Sequence, residues 1–410
     1  MKKKLLSIVL AATMALSMVA CSGGGASSTT ETTNESTGTE AATNDTANAD
    51  VKEESAASTG AFALDGTWPA ETVKIGVVAF DVTDEQFLAL QKYYEDMTNY
   101  FNIEFMYSES IASAEDELKF IENCSAAGCK AVIGYYNVTE AEVAQLCADV
   151  GMYYYGSAEK KSVYGKLGSN EYYLGSQANG DADYENGYAL ANVLIEQGAK
   201  KIVYASGGDE MGIEMFINRY MGFQQAITEA KDVQLIHKVP GWPGTDSFTA
   251  EQTAVLDMDF DALASSFSAA VWFQPLASAG KLDGSIKIAT VGNVSDVYYD
   301  AMNDGSVSAI IYECEEVVFG NAIPMILNAV TGHMEANRNE EGTAANFAAP
   351  RWTIDSAEIY NTIYDAHEEN NWFVTAEDIA NCLVEYNPNA DYSTLVNTYS
   401  TLDIDAAMKK

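Results

Sequence analysis

Short apolar runs of strand length alternate with segments of helical periodicity through most of this 410-residue chain. That alternation restricts the fold more than any other feature. The run 73–80, Val-Lys-Ile-Gly-Val-Val-Ala-Phe, is nearly continuous in apolar residues, the pattern of a parallel strand buried on both faces. Helical spacing follows over 84–100, with Phe87, Leu88, Leu90, Tyr94 and Met97 recurring. Strands are then expected at 103–107, 131–136 and 152–155, with helices at 112–127 and 139–150 between them. The pattern restarts with a helix at 183–197. Strands follow at 201–205, 233–237, 260–264 and 286–291, alternating with helices at 214–230, 250–257 and 269–279. Strands alternating with helices make a doubly wound parallel sheet, and two successive runs make two such lobes, an α/β architecture. Open parallel sheets bind ligands at the carboxyl ends of their strands, so two lobes facing each other there form a cleft that a hinge can close.

Composition narrows the partners. Asp and Glu number 60 against 22 Lys and Arg, a net charge of −38. Nucleic acid and anionic lipid both require a basic face, so both are excluded as partners. No cofactor is expected: Gly207-Gly208-Asp209 follows a strand but lacks the G-x-G-x-x-G spacing. Nor is a metal: Asp257, Asp259 and Asp261 begin like a calcium loop, yet Ala262 and Ser268 stand at its sixth and twelfth positions. His237, His333 and His367 stand alone, and neither Gly-x-Ser-x-Gly nor His-Glu-x-x-His occurs, so no catalysis is expected. Cys124 and Cys129 flank a helix-to-strand turn and read as a disulfide or as two small buried thiols.

The amino terminus suggests an address. Lys2, Lys3 and Lys4 precede the apolar stretch 5–20, which is short for a membrane span of about 20 residues and suited to a signal peptide. It ends Leu16-Ser17-Met18-Val19-Ala20-Cys21, before Ser22-Gly23-Gly24-Gly25. This resembles a bacterial lipobox. The resemblance implies removal of 1–20 and a lipid on Cys21, which anchors the chain to the extracytoplasmic face of the cell membrane. Residues 21–66, rich in Ser, Thr, Gly and acids, read as that lipidated cysteine and a flexible tether.

Four motifs carry a second resemblance. Lys74-Ile75-Gly76-Val77-Val78 opens the first strand. Arg219-Tyr220-Met221-Gly222-Phe223-Gln224-Gln225-Ala226 follows an Arg-x-x-Gly-Phe-x-x-Ala helix pattern. Phe260-Asp261-Ala262-Leu263 precedes Val291-Gly292-Asn293, and Asp304-Gly305-Ser306-Val307 precedes a helix from Gly320 to Gly332. In this order and spacing they resemble type I periplasmic (solute) binding proteins of the ribose and galactose kind, which feed ABC importers. The resemblance implies three hinge crossings, near 176–181, 292–296 and 334–350. It divides the chain into one lobe of 67–178 with 294–335 and another of 179–293 with 350–410, with possible extra helices at 378–386 and 393–408 packed on the second. It implies a monomer that captures a small-molecule ligand and meets the transmembrane subunits of an ABC permease. The site residues it suggests are Phe80, Asp81 and Phe87 after the first strand, and Tyr135, Tyr136 and Asn137 after the third. Asn218 and Arg219 lie on the helix motif, Trp242 in a turn-rich loop, Ser266 and Phe267 after a late strand, and Asn293 and Asp296 at the second crossing. Each has a plainer alternative: Arg219 in an internal ion pair, Trp242 and the tyrosines in packing. Ile217 replaces a polar recognition residue of that family. Sugar is the first expectation for the ligand, with nucleoside-like or aromatic molecules next. A sensor for a membrane kinase or chemoreceptor and a surface hydrolase are the alternative roles.

Overall fold

Strand β1 (Val73–Ala79) is buried at every position except Lys74, as its apolar run requires. Helix α1 (Glu85–Met97) starts at Asp84, whose carboxylate accepts from the amides of Gln86 and Phe87, donors that a helix start otherwise leaves unpaired. The computed structural model describes residues 62–136, 138–157, 167–177, 179–348 and 350–409. The lipobox-like segment, Cys21, nearly all of the tether and Asn137 lie outside the described residues. β2 (Ile103–Ser110), α2 (Ala114–Ala126), β3 (Ala131–Gly134), α3 (Glu140–Asp149) and β4 (Tyr153–Gly156) follow. β5 (Tyr173–Gln177) was not expected: Gly175 and Ser176 dilute its apolar signal, although all five residues are buried.

The second run repeats the first. α4 (Asn179–Glu196) leads to β6 (Lys201–Ala205), α5 (Glu214–Ala230), β7 (Gln234–Val239), α6 (Asp246–Leu256), β8 (Ala262–Ser265), α7 (Ala270–Ser278), β9 (Lys287–Gly292), α8 (Asp296–Asp304) and β10 (Ala309–Tyr312). The sheets are ordered β11-β5-β4-β3-β1-β2 and β12-β10-β9-β8-β6-β7. All neighbours are parallel except β12 (Trp352–Ile354), which runs antiparallel to β10. β11 (Ala345–Phe347) lies parallel to β5. Both sheets thus carry the 2-1-3-4-5 order whose ligand site lies where the order reverses, between β1 and β3 and between β6 and β8. The doubly wound α/β fold stands as read from the sequence.

One crossing differs from its expected place. β5 lies in the first sheet, and α4 packs on β8, β9 and β10 of the second. The chain does not leave the second sheet at 292–296, because β10 pairs in register with β9, Ala309 opposite Ala289. Residues 294–312 therefore belong with the second sheet. The chain returns after β10, through α9 (Glu315–Val318), which packs on α1, and α10 (Ala322–Val330), which packs on β4. Nor does the carboxyl-terminal tail pack on the second lobe alone. α11 (Ala357–Glu368) lies on α8, but α12 (Ala376–Asn381) lies on α10. α13 (Tyr392–Tyr399) and α14 (Ile404–Ala407) replace the single helix expected at 393–408, and the Nε1 of Trp352 on β12 donates to the Leu402 carbonyl between them. The described cysteines are all buried free thiols, Cys124 and Cys129 included. No helix among the described residues is long and apolar enough to cross a membrane.

α4 and α5 cross at two glycines. A β-carbon on Gly187 would lie 1.7 Å from the Arg219 carbonyl oxygen, and one on Gly222 would lie 1.8 Å from that of Tyr184. Backbone atoms cannot yield as a flexible side chain does. Gly187→Ala therefore destabilises by about 3 kcal/mol or more. Gly280→Ala, at φ +68° in open space, costs only about 1 kcal/mol of backbone strain. Urea unfolding midpoints of the two variants check the contrast, and equal midpoints would refute the close crossing.

Candidate ligand-binding cleft

The carboxyl ends of the two sheets meet. Asn293, directly after β9, donates from Nδ2 to the Glu85 carbonyl at 3.1 Å, and Ser295 donates to the Glu85 carboxylate at 2.6 Å. Glu85 is the first residue of α1, so these bonds join the loop after β1 to the loop after β9. Burial, then the charge of Glu315 at the start of the segment that leaves β10, pushes the hydroxyl of Tyr135, after β3, well above its usual range.

Aromatic rings stand at both sets of strand ends. On the first sheet, Phe80 is 37% exposed and its ring centroid lies 4.8 Å from that of Tyr136. On the second, Trp242 is also 37% exposed, with its edge on Phe216 at 5.7 Å, and Phe267 lies half-buried between Phe216 and Phe248. Such faces stack on the apolar faces of a ring-shaped ligand. Phe87 is not among them. It is 1% exposed and packs 5.6 Å from Tyr135, so it backs that tyrosine from the core.

Several polar candidates are occupied by structure. Asp81 accepts from the amide and hydroxyl of Thr83 at 2.8 and 2.7 Å, fixing the turn before α1. Arg219 is buried. Its Nε donates to Asp183 at 2.8 Å and its Nη1 to the Ser266 carbonyl at 2.7 Å. Ser266 is fully buried and donates to the Ala205 carbonyl at 2.9 Å. These three residues tie α4, α5 and the end of β8 together and shape the cleft wall from behind. Asn218 sits half-buried on α5 beside Arg219. Asp296 is exposed at the start of α8 and accepts from the hydroxyl of Tyr364 on α11. The residue that follows the strand end is Asn293, and three further positions carry Asp296 out of the cleft.

The acids at the strand ends escaped sequence reasoning. Glu313 accepts from Asn186 at 2.8 Å, and Asn186 accepts in turn from Arg351 at 2.9 Å. Glu315 is buried, and its Oε2 makes no hydrogen bond within the structure. Burial, then the charges of Glu313 and Asp84, hold its carboxyl well above the usual range. Burial also raises Glu85, to about 7. No Lys or Arg among the described residues forms an ion pair with Glu85, Glu313 or Glu315. The available signal was three acids, Glu313, Glu315 and Glu316, placed directly after an apolar strand.

Between its ordinary value of 4.5 and about 7, Glu85 keeps a proton in the folded state that it has lost in the unfolded one. The folded state then binds more protons, so stability falls as pH rises through that window. Glu85→Gln retains a partner for Ser295 and removes this share of the pH dependence. Thermal midpoints at about pH 5 and about pH 7 check it, and the drop between them is smaller in the variant.

No model of a known family matches the sequence, and no curated protein matches it. Solved structures do. An ABC transporter solute-binding protein from Bacillus halodurans, with myo-inositol bound, aligns at 15% identity over 73% of this chain and 99% of that one, TM-score 0.56. A periplasmic solute-binding protein from Actinobacillus succinogenes with bound D-allose aligns at 14% identity over 72% and 99%, TM-score 0.58. The binding protein of the arabinose ABC transporter from a Shewanella species, bound to α- and β-L-arabinofuranose, aligns at 17% identity over 73% and 97%, TM-score 0.53. The two facing 2-1-3-4-5 sheets are the type I periplasmic binding protein fold.

Proposed function

We propose that this protein is the substrate-binding component of an ABC importer, held outside the cell membrane by a lipid on Cys21, and that it captures a neutral sugar or polyol. The observation that carries the reading is the meeting of the two sheets' carboxyl ends, where Glu85 bonds Asn293 and Ser295. Such bonds form when lobes close and break when they open, which is how a hinge protein traps a ligand. The sugars and the polyol bound by proteins of the same fold support the ligand class.

The chemistry of the cleft agrees with it. Phe80 and Tyr136 offer ring faces, and Glu313 and Glu315 offer carboxyl oxygens that accept from ligand hydroxyls. A hydroxyl that meets Glu315 Oε2 satisfies a buried acceptor, whereas an analogue lacking it leaves that acceptor unpaired, which is how polar sites discriminate. The Glu313 carboxylate repels a ligand that carries a carboxylate or phosphate. Capture without chemistry is the role assigned. The permease is the partner that the role requires, and the chain acts as a monomer.

A thermal-shift screen tests the ligand class. A neutral sugar or polyol at 100 times its Kd stabilises by about 2.7 kcal/mol and raises the midpoint, while uronic acids and sugar phosphates leave it unchanged. Tyr136→Ala weakens binding at least tenfold, the loss of about 1.4 kcal/mol of stacking. A response confined to anionic sugars, or none to any sugar or polyol, would overturn the assignment. The anchor is tested separately: Cys21→Ser moves the protein from the membrane pellet to the soluble fraction and abolishes labelling by radioactive fatty acid.

A further inference from the structure

Three side chains of metal-ligand type, far apart in sequence, converge where β10 ends. Cys314 caps α9, Glu316 lies in its first turn, and His367 lies in the last turn of α11. The thiol, a carboxylate oxygen and an imidazole nitrogen all lie within 4.8 Å of one another. Cys314 is 1% exposed and Glu316 2%. Trp372 and Phe373 flank the His367 ring, each with its centroid 5.5 Å away.

The hydrogen bonds around the cluster leave His367 Nε2 without a partner. Glu316 Oε1 accepts from the Phe373 amide at 2.6 Å. Glu316 Oε2 lies 3.2 Å from His367 Nε2, yet Nε2 is buried without a hydrogen-bond partner. Lys92 donates to the His367 carbonyl and to Glu368. A buried carboxylate and a buried thiol thus face one imidazole nitrogen, with no Lys or Arg paired to the carboxylate among the described residues. An arrangement of this kind costs several kcal/mol unless a positive charge compensates it.

We propose that Cys314 Sγ, Glu316 Oε2 and His367 Nε2 bind one zinc ion. One sulfur, one nitrogen and one oxygen suit zinc, whereas calcium and magnesium take oxygen alone. Ligand arms of about 2.0–2.3 Å on a tetrahedral ion put the ligand atoms about 3.3–3.7 Å apart. The cluster therefore needs to contract by no more than about an ångström. The ion displaces the thiol proton to solvent and forms the Zn–S bond. Thiolate, carboxylate and divalent ion then sum to zero charge, and a water molecule takes the fourth position. The Phe373 amide, which donates to Glu316 Oε1, orients one of the ligands, as outer partners do in zinc sites. The ion joins the segment through which the chain leaves the second sheet to α11 of the carboxyl-terminal tail. It stiffens that crossing, and the proposal stands apart from any assignment of the cleft ligand.

Cobalt(II) titration of the purified, metal-free protein tests the site, since a cobalt–thiolate bond gives a charge-transfer band in the near ultraviolet. The expected result is one ion per chain, a band that Cys314→Ser abolishes, and displacement of cobalt by zinc. His367→Gln keeps the other ligands and weakens zinc binding at least as much as losing an outer partner does, about 10–100-fold, measured by competition with a chromophoric chelator. No stoichiometric ion on the wild-type protein, or a band that survives in Cys314→Ser, would overturn the proposal whatever the other variants show. In that case the 3.2 Å contact between His367 and Glu316 is the whole of the cluster.

Discussion

A parallel sheet covered by helices on both faces leaves only its strand ends to meet polar molecules. Every functional feature of this protein follows from that restriction. The strands are too buried to carry recognition groups along their length: β3, β5, β8 and β10 are buried at every residue. Side chains that touch a ligand must therefore come from the first few residues after each strand. Phe80, Tyr135, Tyr136, Asn293, Glu313 and Glu315 all occupy such positions. Because the reversal of strand order opens a gap at the carboxyl end of each sheet, two such sheets facing each other place two gaps together.

The cleft wall on the second sheet depends on interactions that never reach the ligand. Arg219 is buried against Asp183 and the Ser266 carbonyl, so it fixes the end of β8 relative to α4 and α5. A buried pair of this kind is costly to break, because either partner alone leaves an uncompensated charge. The glycines at the crossing serve the same end. With Gly187 against the Arg219 carbonyl and Gly222 against that of Tyr184, the helices approach until their backbones touch, and Arg219 reaches the strand end from there. The Arg-x-x-Gly-Phe pattern of α5 is thus a packing device: the arginine and the glycine three residues later lie on one helix face.

The sequence carried the fold because each strand announces itself through burial. Continuous apolar runs marked β1, β3, β6 and β9, and 3.6-residue spacing marked the helices between them. β5, β11 and β12 were silent because Gly175, Ser176 and three-residue lengths give no period to read. The second crossing was misplaced because no residue type marks where a chain changes sheets. Only the pairing of β10 with β9 does so. The site was legible as positions but not as roles. Strand-end aromatics could be named from spacing and an internal ion pair could be read for Arg219, whereas the retreat of Phe87 into the core depends on rings 20 and 48 residues away, Tyr107 and Tyr135. The cluster of Cys314, Glu316 and His367 has no local spacing at all, since the imidazole comes from a tail helix.

The acids explain why closure and capture belong to one equilibrium. Glu85 and Glu315 are withdrawn from water, and no Lys or Arg among the described residues forms an ion pair with them. Removing a carboxylate from water without a partner is unfavourable, which is why burial lifts Glu85 to about 7 and Glu315 beyond the usual range. A ligand shifts an equilibrium by no more than its difference in affinity for the two states. Under the proposed function, ligand hydroxyls that donate to these oxygens in the closed form supply that difference, so the groups that would select a hydroxylated ligand are also the ones that would couple closure to its arrival.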